Sequence, residues 1–422
     1  MKHYHLWNQG CQMNQADAHR METYLAAWGF HAAATPLTAE VAVVNTCVVR
    51  QRTEDRAIAQ LSSLAEAKKA NPRLQVVVTG CLVDSQEERL KERFPHVDLF
   101  FKPQAFDQFV IWGHSQGWTE ATEPGLQPRP SLPLAVMQGC DNCCTYCSVP
   151  LRRGRDMSRP IPQIVEEVKA LVTRGVKEVV LTGQSINAYG HDLPENTGLG
   201  ELLREVNGIP GLARLRFLTS HPRDIDDQFV GTLASLDKVC SQLSLPVQSG
   251  DDGILRAMGR GYSAEEYRHW VARLRQAIPE IAISTDIIVG FPGEDEAAFL
   301  QTLKLVEELR LDTVHIAPYS PRPGTWAARH LRDDVPWGEK KRRQRQLEAV
   351  QATIVAEDNA RLVGKEVEVL VEDKAKGHWR GRTKQGKLVF FGEDQPCQGR
   401  LAQVRIAQAK SWWLEGGLVK CE

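Results

Sequence analysis

Four cysteines lie within eight residues of the chain, directly after an apolar run: Cys140, Cys143, Cys144 and Cys147. The spacing C-x3-C-x2-C selects Cys140, Cys144 and Cys147 and leaves Cys143 as an extra thiol. Three thiolates on so short a loop cannot all be core side chains, and soft sulfur ligands select zinc or iron–sulfur clusters. Structural zinc takes a fourth ligand, often from a distant second C-x2-C pair, which this sequence lacks. Three cysteines therefore favour a cubane cluster with one iron open to a substrate.

The composition narrows the class of protein. At 422 residues the chain is long enough for roughly three domains. A net charge of −1 provides no global electrostatic argument for nucleic-acid binding, so any such argument must be local. Ten cysteines in a chain of this size, without an apolar leader after Met1, indicate metal binding or catalysis. No apolar run reaches the length of a membrane span, and we expect a cytoplasmic protein without a membrane partner.

The pattern of the chain predicts an α/β protein with three domains. Residues 1–116 alternate β-rich runs with amphipathic helices, which favours a parallel α/β domain. Residues 117–133 are rich in Gly, Pro, Thr and Glu and are interpreted as a linker. Residues 134–358 hold a second alternation and a trailing polar helix, which predicts a partial (β/α)6 barrel of TIM-like type. Residues 359–422 contain short strands and basic turns, typical of a small antiparallel β-barrel.

The individual elements follow from the same alternation of apolar residues. The predicted strands are Tyr4–Trp7, Val41–Asn45, Gln75–Thr79, Val97–Phe101, Ala135–Met137, Glu178–Leu181, Leu215–Thr219, Gln242–Leu245, Ile283–Val289 and Thr313–Pro318. The predicted helices include Ala16–Ala27, Thr53–Lys69, Pro162–Thr173, Ala264–Ala277 and Trp337–Asn359.

A second set of cysteines, Cys11, Cys47 and Cys81, shares one position relative to the predicted strands. Each lies just after the end of a strand of the N-terminal domain. In an open α/β sheet, ligands bind in the crevice outside the carboxyl ends of the strands. Neighbouring parallel strands are about 4.8 Å apart, so three thiols at their ends can converge on one cluster. A single cysteine of this kind is more often a small buried apolar side chain, but three in the same position favour a cluster.

Several motifs resemble the radical S-adenosylmethionine (SAM) methylthiotransferase family over nearly the whole chain and in the family's order. The cysteine loop is similar to the radical SAM signature, and the three N-terminal cysteine motifs also match the family. Other segments resemble the MiaB branch most closely. The matching segments are Gly10–Asn14, Asn45–Arg50, Thr79–Cys81, Cys140–Gly154, Gly183–Tyr189, Leu245–Gly250, Asp286–Glu294 and Tyr319–Thr325. The C-terminal stretch resembles a TRAM domain, a small RNA-binding β-barrel.

The resemblance implies two 4Fe–4S clusters and SAM as cofactors. Cys140, Cys144 and Cys147 would bind the radical SAM cluster, and Cys11, Cys47 and Cys81 an auxiliary cluster that supplies sulfur. Tyr146, Thr182, Gly183, Gln184 and Asp286 are the candidate SAM contacts. The implied reaction adds a methylthio group to C2 of an isopentenyl-modified adenosine beside the anticodon of tRNA.

Local charge provides candidate RNA contacts. Arg152, Arg153 and Arg155 follow the cysteine loop, and a basic run, Lys340–Arg343, opens the polar helix. From Arg361 to Glu422 there are 12 Lys/Arg against 8 Asp/Glu, with interleaved aromatic residues. Basic side chains bind phosphates and aromatic faces stack on unpaired bases, so we expect Trp379, Arg380 and Arg382 to contact the tRNA anticodon loop.

Alternatives within the family are a methylthiotransferase of threonylcarbamoyl-adenosine in tRNA and one of a ribosomal-protein aspartate. The Gly183–Tyr189 segment favours the MiaB branch, although Ser185 replaces the usual Asn and Cys143 replaces an aromatic residue. An alternative of another class is a zinc-stabilised RNA-binding protein without turnover. For the enzyme we expect a monomer that works with a separate electron donor.

Overall fold

The computed structural model describes residues 1–48, 51–83, 87–119, 129–194 and 197–422. The N-terminal region is a five-stranded parallel sheet in the order β2-β1-β3-β4-β5. Its elements are β1 (Lys2–Asn8), α1 (Gln12–Ala27), β2 (Phe30–Ala32), β3 (Val41–Thr46), α2 (Gln51–Ala70), β4 (Gln75–Gly80), α3 (Glu87–Arg93), β5 (Leu99–Phe100) and α4 (Phe106–Ser115).

The central strand β3 shows why this sheet is covered on both faces. Its residues are all buried, and alternate ones point to opposite sides. Val41 and Val43 pack with Met21 of α1 in one core, whereas Ala42 and Val44 belong to the core that α2 covers. Continuous burial of this kind is typical of a parallel strand between two helical layers. The predicted α/β domain is therefore confirmed, although the three-residue strand β2 was missed because it is too short to show a period.

The central region contains six parallel strands, β6, β9, β10, β11, β12 and β13. Two ladders, β6-β9-β10 and β11-β12-β13, meet at a bridge between Leu215 and Val239. The described residues show no pairing between β6 and β13, so the barrel is open there. The elements are β6 (Ser131–Ala135), β7 (Met137–Gln138), α5 (Val149–Arg153), β8 (Met157–Ser158), α6 (Ile161–Thr173), β9 (Glu178–Thr182), α7 (Leu199–Asn207), β10 (Arg214–Leu218), α8 (Asp227–Ser235), β11 (Gln242–Ser244), α9 (Asp252–Ala257), α10 (Ala264–Ala277), β12 (Ala282–Val289), α11 (Glu296–Leu309), β13 (Thr313–Pro318), α12 (Trp326–His330) and α13 (Trp337–Ala360).

The first barrel strand lies earlier than predicted. Instead of Ala135–Met137 it is β6, which pairs with β9 from Ser131 onwards, so the predicted linker 117–133 ends inside a strand. The sequence misleads because Pro133 suggests a break, but a proline without an N–H is tolerated in an edge strand such as β6. Met137 belongs to a separate two-stranded ladder with Ser158. Residues 120–128 of the predicted linker lie outside the described residues.

The C-terminal region is a closed five-stranded barrel in the order β14-β15-β16-β18-β17. Its strands are β14 (Glu366–Ala375), β15 (His378–Arg382), β16 (Leu388–Gly392), β17 (Leu401–Ala409) and β18 (Leu414–Cys421). The small barrel is confirmed, but it is not wholly antiparallel, since β16 and β18 run parallel. No helix within the described ranges has the length and apolarity needed to cross a bilayer.

This barrel docks where the strands of the central barrel begin. Arg214, the first residue of β10, is fully buried and donates to the carbonyl of Arg382 at 2.6 Å. Arg216 pairs with Glu178 at 3.1 Å and donates to the carbonyl of Thr383 at 3.2 Å. The C-terminal barrel thus covers the amino end of the central strands and leaves their carboxyl ends, which we call the mouth, to the rest of the chain.

Candidate active site

Cys140, Cys144 and Cys147, which we call the loop cysteines, lie between β7 and α5 at the mouth. The loop is shaped by local backbone hydrogen bonds, including Cys147 N to Cys144 O at 3.1 Å and Cys140 N to Gly154 O at 3.1 Å. Burial raises the pKa of Cys147 to about 12. Such a thiol needs a cation to hold it as the thiolate, and a bound metal supplies that charge. Three thiols this close together on one loop fit an iron–sulfur cluster.

Neighbouring helices and one arginine fix the position of this loop. Thr145 donates from its N to Met258 O at 2.9 Å and from its Oγ1 to Ala257 O at 2.8 Å, at the end of α9. Arg260 donates to Cys144 Sγ at 3.2 Å and to Pro246 O at 2.8 Å. Sequence reasoning missed Arg260, although the flanking glycines in Gly259–Gly261 indicated a tight turn. The extra thiol Cys143 is exposed.

The predicted SAM contacts lie at this mouth. Thr182 ends β9, and a Cβ on the following Gly183 would come within 2.5 Å of Met137 Cγ, so a side chain does not fit there. Tyr146 packs edge-on against Phe291, with ring centroids 6.4 Å apart, and burial raises its pKa well above 10. Asp286 is half-buried in β12, between fully buried neighbours.

Several buried polar atoms without partners lie at the same strand ends. Four of them have no hydrogen-bond partner in the described part of the chain: Gln184 Oε1, Ser220 Oγ, His221 Nε2 and Gln248 Oε1. More than nine in ten buried polar groups are normally satisfied. Two non-glycine residues here, Thr219 (φ 73°) and Gln248 (φ 74°), also have strained backbones of the kind found at functional sites. The mouth therefore has the unsatisfied groups that a polar ligand such as SAM or a nucleoside needs.

His221 is the best defined of these groups. Its Nδ1 accepts from the backbone N–H of Arg223 at 3.3 Å, which leaves the Nε2–H as the free donor. Burial, and then Arg260 and Arg223, lower the pKa of His221 to about 3, so the ring is neutral. The sequence signal was present, because Ser220 and His221 follow a predicted strand directly, but sequence reasoning did not use it.

Cys11, Cys47 and Cys81, which we call the strand-end cysteines, follow the three central strands of the N-terminal sheet. The register aligns Asn8 with Asn45 and Asn45 with Thr79, so the three chain segments leave the sheet at one edge. A Cβ on Gly10 would lie 2.8 Å from Cys47 Cβ, which shows how closely the first two segments approach. Cys81 N donates to Thr46 O at 2.9 Å and links the third segment to the second.

Two buried asparagines connect these segments. Asn14 Nδ2 donates to Asn45 Oδ1 at 3.1 Å and to Thr46 O at 2.9 Å, and Asn14 Oδ1 accepts from Cys11 Sγ at 3.4 Å. This network accounts for the asparagines in the first two cysteine motifs. Arg50, which ends the second motif, lies outside the described residues.

One arginine of the barrel contacts the strand-end cysteines across the boundary between the N-terminal domain and the barrel. Arg153, at the end of α5 and six positions beyond Cys147, donates from Nε to Cys81 Sγ at 3.5 Å. No three His, Cys, Asp or Glu side chains among the described residues are close enough to share a single metal ion. In a cubane cluster each cysteine binds a different iron, and three thiols on one short loop match that donor set.

Burial corrects several predicted RNA contacts. Arg153 is 3% exposed and is occupied by Cys81 and Asp17, and Trp379 is 8% exposed and donates to Glu393 O at 3.0 Å inside the C-terminal barrel. Neither can reach a phosphate or stack on a base. In the basic run, Lys340 and Arg343 are likewise buried.

The remaining predicted RNA contacts are accessible to different degrees. Arg155 and Arg382 are exposed, whereas Arg152 is half-buried, as is Arg380, which pairs with Asp373. Trp412 at the turn between β17 and β18 is 64% exposed.

Comparison with known proteins identifies relatives over the full length. Three family models match: "Uncharacterized protein family UPF0004" at residues 3–102, "Radical SAM superfamily" at 134–306 and "TRAM domain" at 360–419. The chain is 48% identical over 420 residues to the tRNA-2-methylthio-N(6)-dimethylallyladenosine synthase of Dehalococcoides mccartyi, covering 100% of this chain and 99% of the relative. It is 42% identical over 431 residues to the synthase of the same name from Roseiflexus sp., covering 100% and 90%.

Solved structures resemble the chain in fold. The radical S-adenosylmethionine methyltransferase TsrM from Kitasatospora setae matches with a TM-score of 0.56 at 16% identity, covering 78% of this chain and 77% of that one. The cobalamin-dependent S-adenosylmethionine radical enzyme OxsB matches with a TM-score of 0.53 at 11% identity, covering 84% and 58%.

Proposed function

Because this chain belongs to the family of tRNA-2-methylthio-N(6)-dimethylallyladenosine synthases, we propose that it places a methylthio group on C2 of an isopentenyl-modified adenosine beside the anticodon of tRNA. The observation that carries this proposal is the position of two separate cysteine sets at one barrel mouth, linked by the contact of Arg153 with Cys81. A methylthiotransferase needs a radical source and a sulfur source within reach of the same substrate carbon, and this arrangement supplies a place for each.

The loop cysteines are the proposed ligands of the radical SAM 4Fe–4S cluster. Bound there and reduced, the cluster supplies the electron that cleaves the carbon–sulfur bond of SAM. The chain's own residues place the reactants: Gln184 offers an unpaired Oε1, His221 a neutral N–H donor, and Tyr146 and Phe291 an apolar wall. Asp286 is a further candidate contact because β12 carries it half-buried towards the mouth.

The strand-end cysteines are the proposed ligands of the auxiliary 4Fe–4S cluster. Their three segments leave one sheet edge together, held by the backbone bond from Cys81 and by Asn14. Cys11 is exposed and Cys81 half-buried, whereas Cys47 is buried, so one side of the site is open. Arg153 of α5 contacts Cys81, and we infer that a substrate in the mouth would meet the sulfur source on this side of the N-terminal domain.

The tRNA would contact both ends of the central barrel. Arg155 is exposed next to the cysteine loop and can hold a phosphate near the anticodon. At the opposite end, the C-terminal barrel offers the exposed Arg382 and Trp412 to a more distant part of the same RNA. The proposed domains are residues 1–116, 131–358 and 359–422, in a cytoplasmic monomer that draws electrons from a separate donor.

Removal of each cysteine set by alanine substitution tests this proposal. After anaerobic purification the parent protein should hold about eight irons per chain, and either triple variant, Cys140→Ala/Cys144→Ala/Cys147→Ala or Cys11→Ala/Cys47→Ala/Cys81→Ala, about four. The strand-end variant should still cleave SAM but yield no methylthio nucleoside, whereas the loop variant should do neither. The measurements are iron content, 5′-deoxyadenosine formation and mass spectrometry of tRNA nucleosides from a complemented deletion strain.

Cys143→Ala is the matched control, because Cys143 is an exposed cysteine in the same loop. It should keep the parent's iron and product. A colourless zinc protein would contradict the enzyme assignment. A methylthio product on threonylcarbamoyl-adenosine or on a ribosomal-protein aspartate would show that the chain has one of these related activities instead.

A further inference from the structure

Arg153 belongs to the barrel, but its side chain lies buried against the N-terminal domain. Its side chain is 2% exposed, and its Nη2 lies 3.0 Å from Asp17 Oδ2 of α1. Its Nε donates to Cys81 Sγ, and its own carbonyl accepts from the side chain of Gln104. One barrel residue therefore contacts three separate segments of the N-terminal domain.

Part of the hydrogen-bonding capacity of Arg153 is unused. A guanidinium has five N–H donors; Nη2 is ion-paired with Asp17 at 3.0 Å, but Nη1 has no acceptor among the described residues. Leaving a charged donor unsatisfied in a buried site is unfavourable, so an acceptor is expected there. The guanidinium of an arginine stays protonated in proteins, so Arg153 is cationic. A buried arginine with a free N–H beside cysteines indicates a further acceptor at the strand-end site.

We propose that Arg153 is the positioning residue of the strand-end site. Its Nε–H holds the sulfur of Cys81, and its free Nη1 donor and its charge stabilise the anionic sulfur group that the strand-end cysteines bind. This inference rests on the proposed function, because it takes that group to be the auxiliary cluster. Hydrogen bonds to sulfur and nearby charge set the reduction potential of an iron–sulfur cluster, so Arg153 links the barrel to the redox properties of the other domain.

Arg322 provides an internal comparison. It is 5% exposed, crosses the same domain boundary, and pairs with Glu54 at 2.7 Å while donating to the carbonyl of Val48, the residue after Cys47. Within the described part of the chain it donates to Gln51, Val48 and Glu54, and none of these acceptors is a cysteine sulfur. Arg322 thus shares the burial and the domain contact of Arg153 but not its contact with sulfur.

The test compares Arg153→Met, Arg153→Lys and Arg322→Met in the full-length, cluster-loaded protein. The readouts are iron content, thermal stability and the midpoint potential of the auxiliary cluster, followed by electron paramagnetic resonance in the loop-cysteine triple variant background. Arg153→Met should shift that potential to more negative values, and Arg153→Lys, which keeps the charge, should shift it less. Arg322→Met should lower stability without moving the potential.

Because Arg153→Met leaves Asp17 buried without its cation, Asp17→Asn/Arg153→Met is measured beside it. The double variant still lacks the donor to Cys81, so its potential should shift in the same direction by a smaller amount. Equal shifts in the Arg153 and Arg322 variants, or no shift in either Arg153→Met protein, would overturn the inference. About four irons in the parent would instead overturn the proposed function itself, so the two failures are distinguishable.

Discussion

The two cysteine sets are built in opposite ways. The loop cysteines lie within eight residues, and hydrogen bonds inside that loop define their geometry. The strand-end cysteines lie far apart in the chain, and only the register of β1, β3 and β4 brings them together. The loop site therefore depends mainly on local conformation, whereas the strand-end site exists only when the whole sheet has formed.

Each cysteine set is also contacted by one buried arginine, but the two arginines come from different places in the molecule. Arg260 contacts Cys144 from the same barrel, while Arg153 contacts Cys81 from the neighbouring domain. The strand-end site is thus completed by domain docking, and the loop site is not. Perturbations of one set should leave the other loaded, which makes the comparison testable.

The largest effects on the iron content of a single cysteine set are expected from substituting one glycine next to that set. A Cβ on Gly80 (φ +94°) would lie 2.2 Å from Thr46 O, and one on Gly139 (φ +81°) 1.8 Å from Arg155 O. Gly80→Ala should remove only the strand-end irons, about four per chain, and Gly139→Ala only the loop irons. Steric overlap and the positive φ together should lower the free energy of unfolding by about 2–4 kcal/mol in each variant.

Gly117→Ala is the control that measures the cost of a positive φ without steric overlap. Gly117 also has a positive φ of 75°, but nothing lies within 4 Å of its added Cβ. We expect a cost of about 1 kcal/mol and a full iron content. Loss of all iron from either of the two test variants would show that the two sites are not independent.

The limits of sequence-based prediction follow the same distinction between local and long-range structure. The loop cysteines could be predicted from their spacing within eight residues, and the strand-end cysteines because each follows an apolar run. The burial of charged and aromatic side chains could not be predicted from the sequence. Arg153 and Trp379 were predicted to contact RNA because the sequence near a basic or aromatic residue does not show whether another part of the protein buries it. Arg260 was missed for the same reason, since its contact with Cys144 spans 116 positions.

The next effect concerns Arg260. Replacement by Met removes its bonds to Cys144 Sγ and Pro246 O. Hydrogen bonds from a charged donor contribute roughly 1.5–3 kcal/mol, so the free energy of unfolding should fall by about 2 kcal/mol. SAM cleavage should slow at least about tenfold, since misplacing a reacting group by 1 Å can cost far more. Auxiliary iron, measured in the same preparation, should be unchanged.

Arg273→Met provides a matched control on the outside of the barrel. Arg273 forms an exposed pair with Asp227 at 2.6 Å, and such pairs contribute about 0–1 kcal/mol. If Arg260→Met were as mild as this control, Arg260 would not be holding the loop cysteines in place.

The last expected effect is a pH dependence of the stability, which arises at the mouth near the loop cysteines. His221 is neutral in the folded barrel because burial, Arg260 and Arg223 lower its pKa to about 3, whereas in the unfolded chain it takes up a proton near pH 6.5. The unfolded state therefore binds more protons between these values, and stability falls as the pH falls through that window. From pH 7 to pH 5 this single group should cost the parent about 2 kcal/mol. His221→Asn keeps an acceptor for the N–H of Arg223 and should remove this part of the acid loss in urea unfolding of the barrel. An acid loss of equal size in His221→Asn and the parent would show that His221 is not held neutral, and the unpaired N–H at the mouth would no longer mark a ligand site.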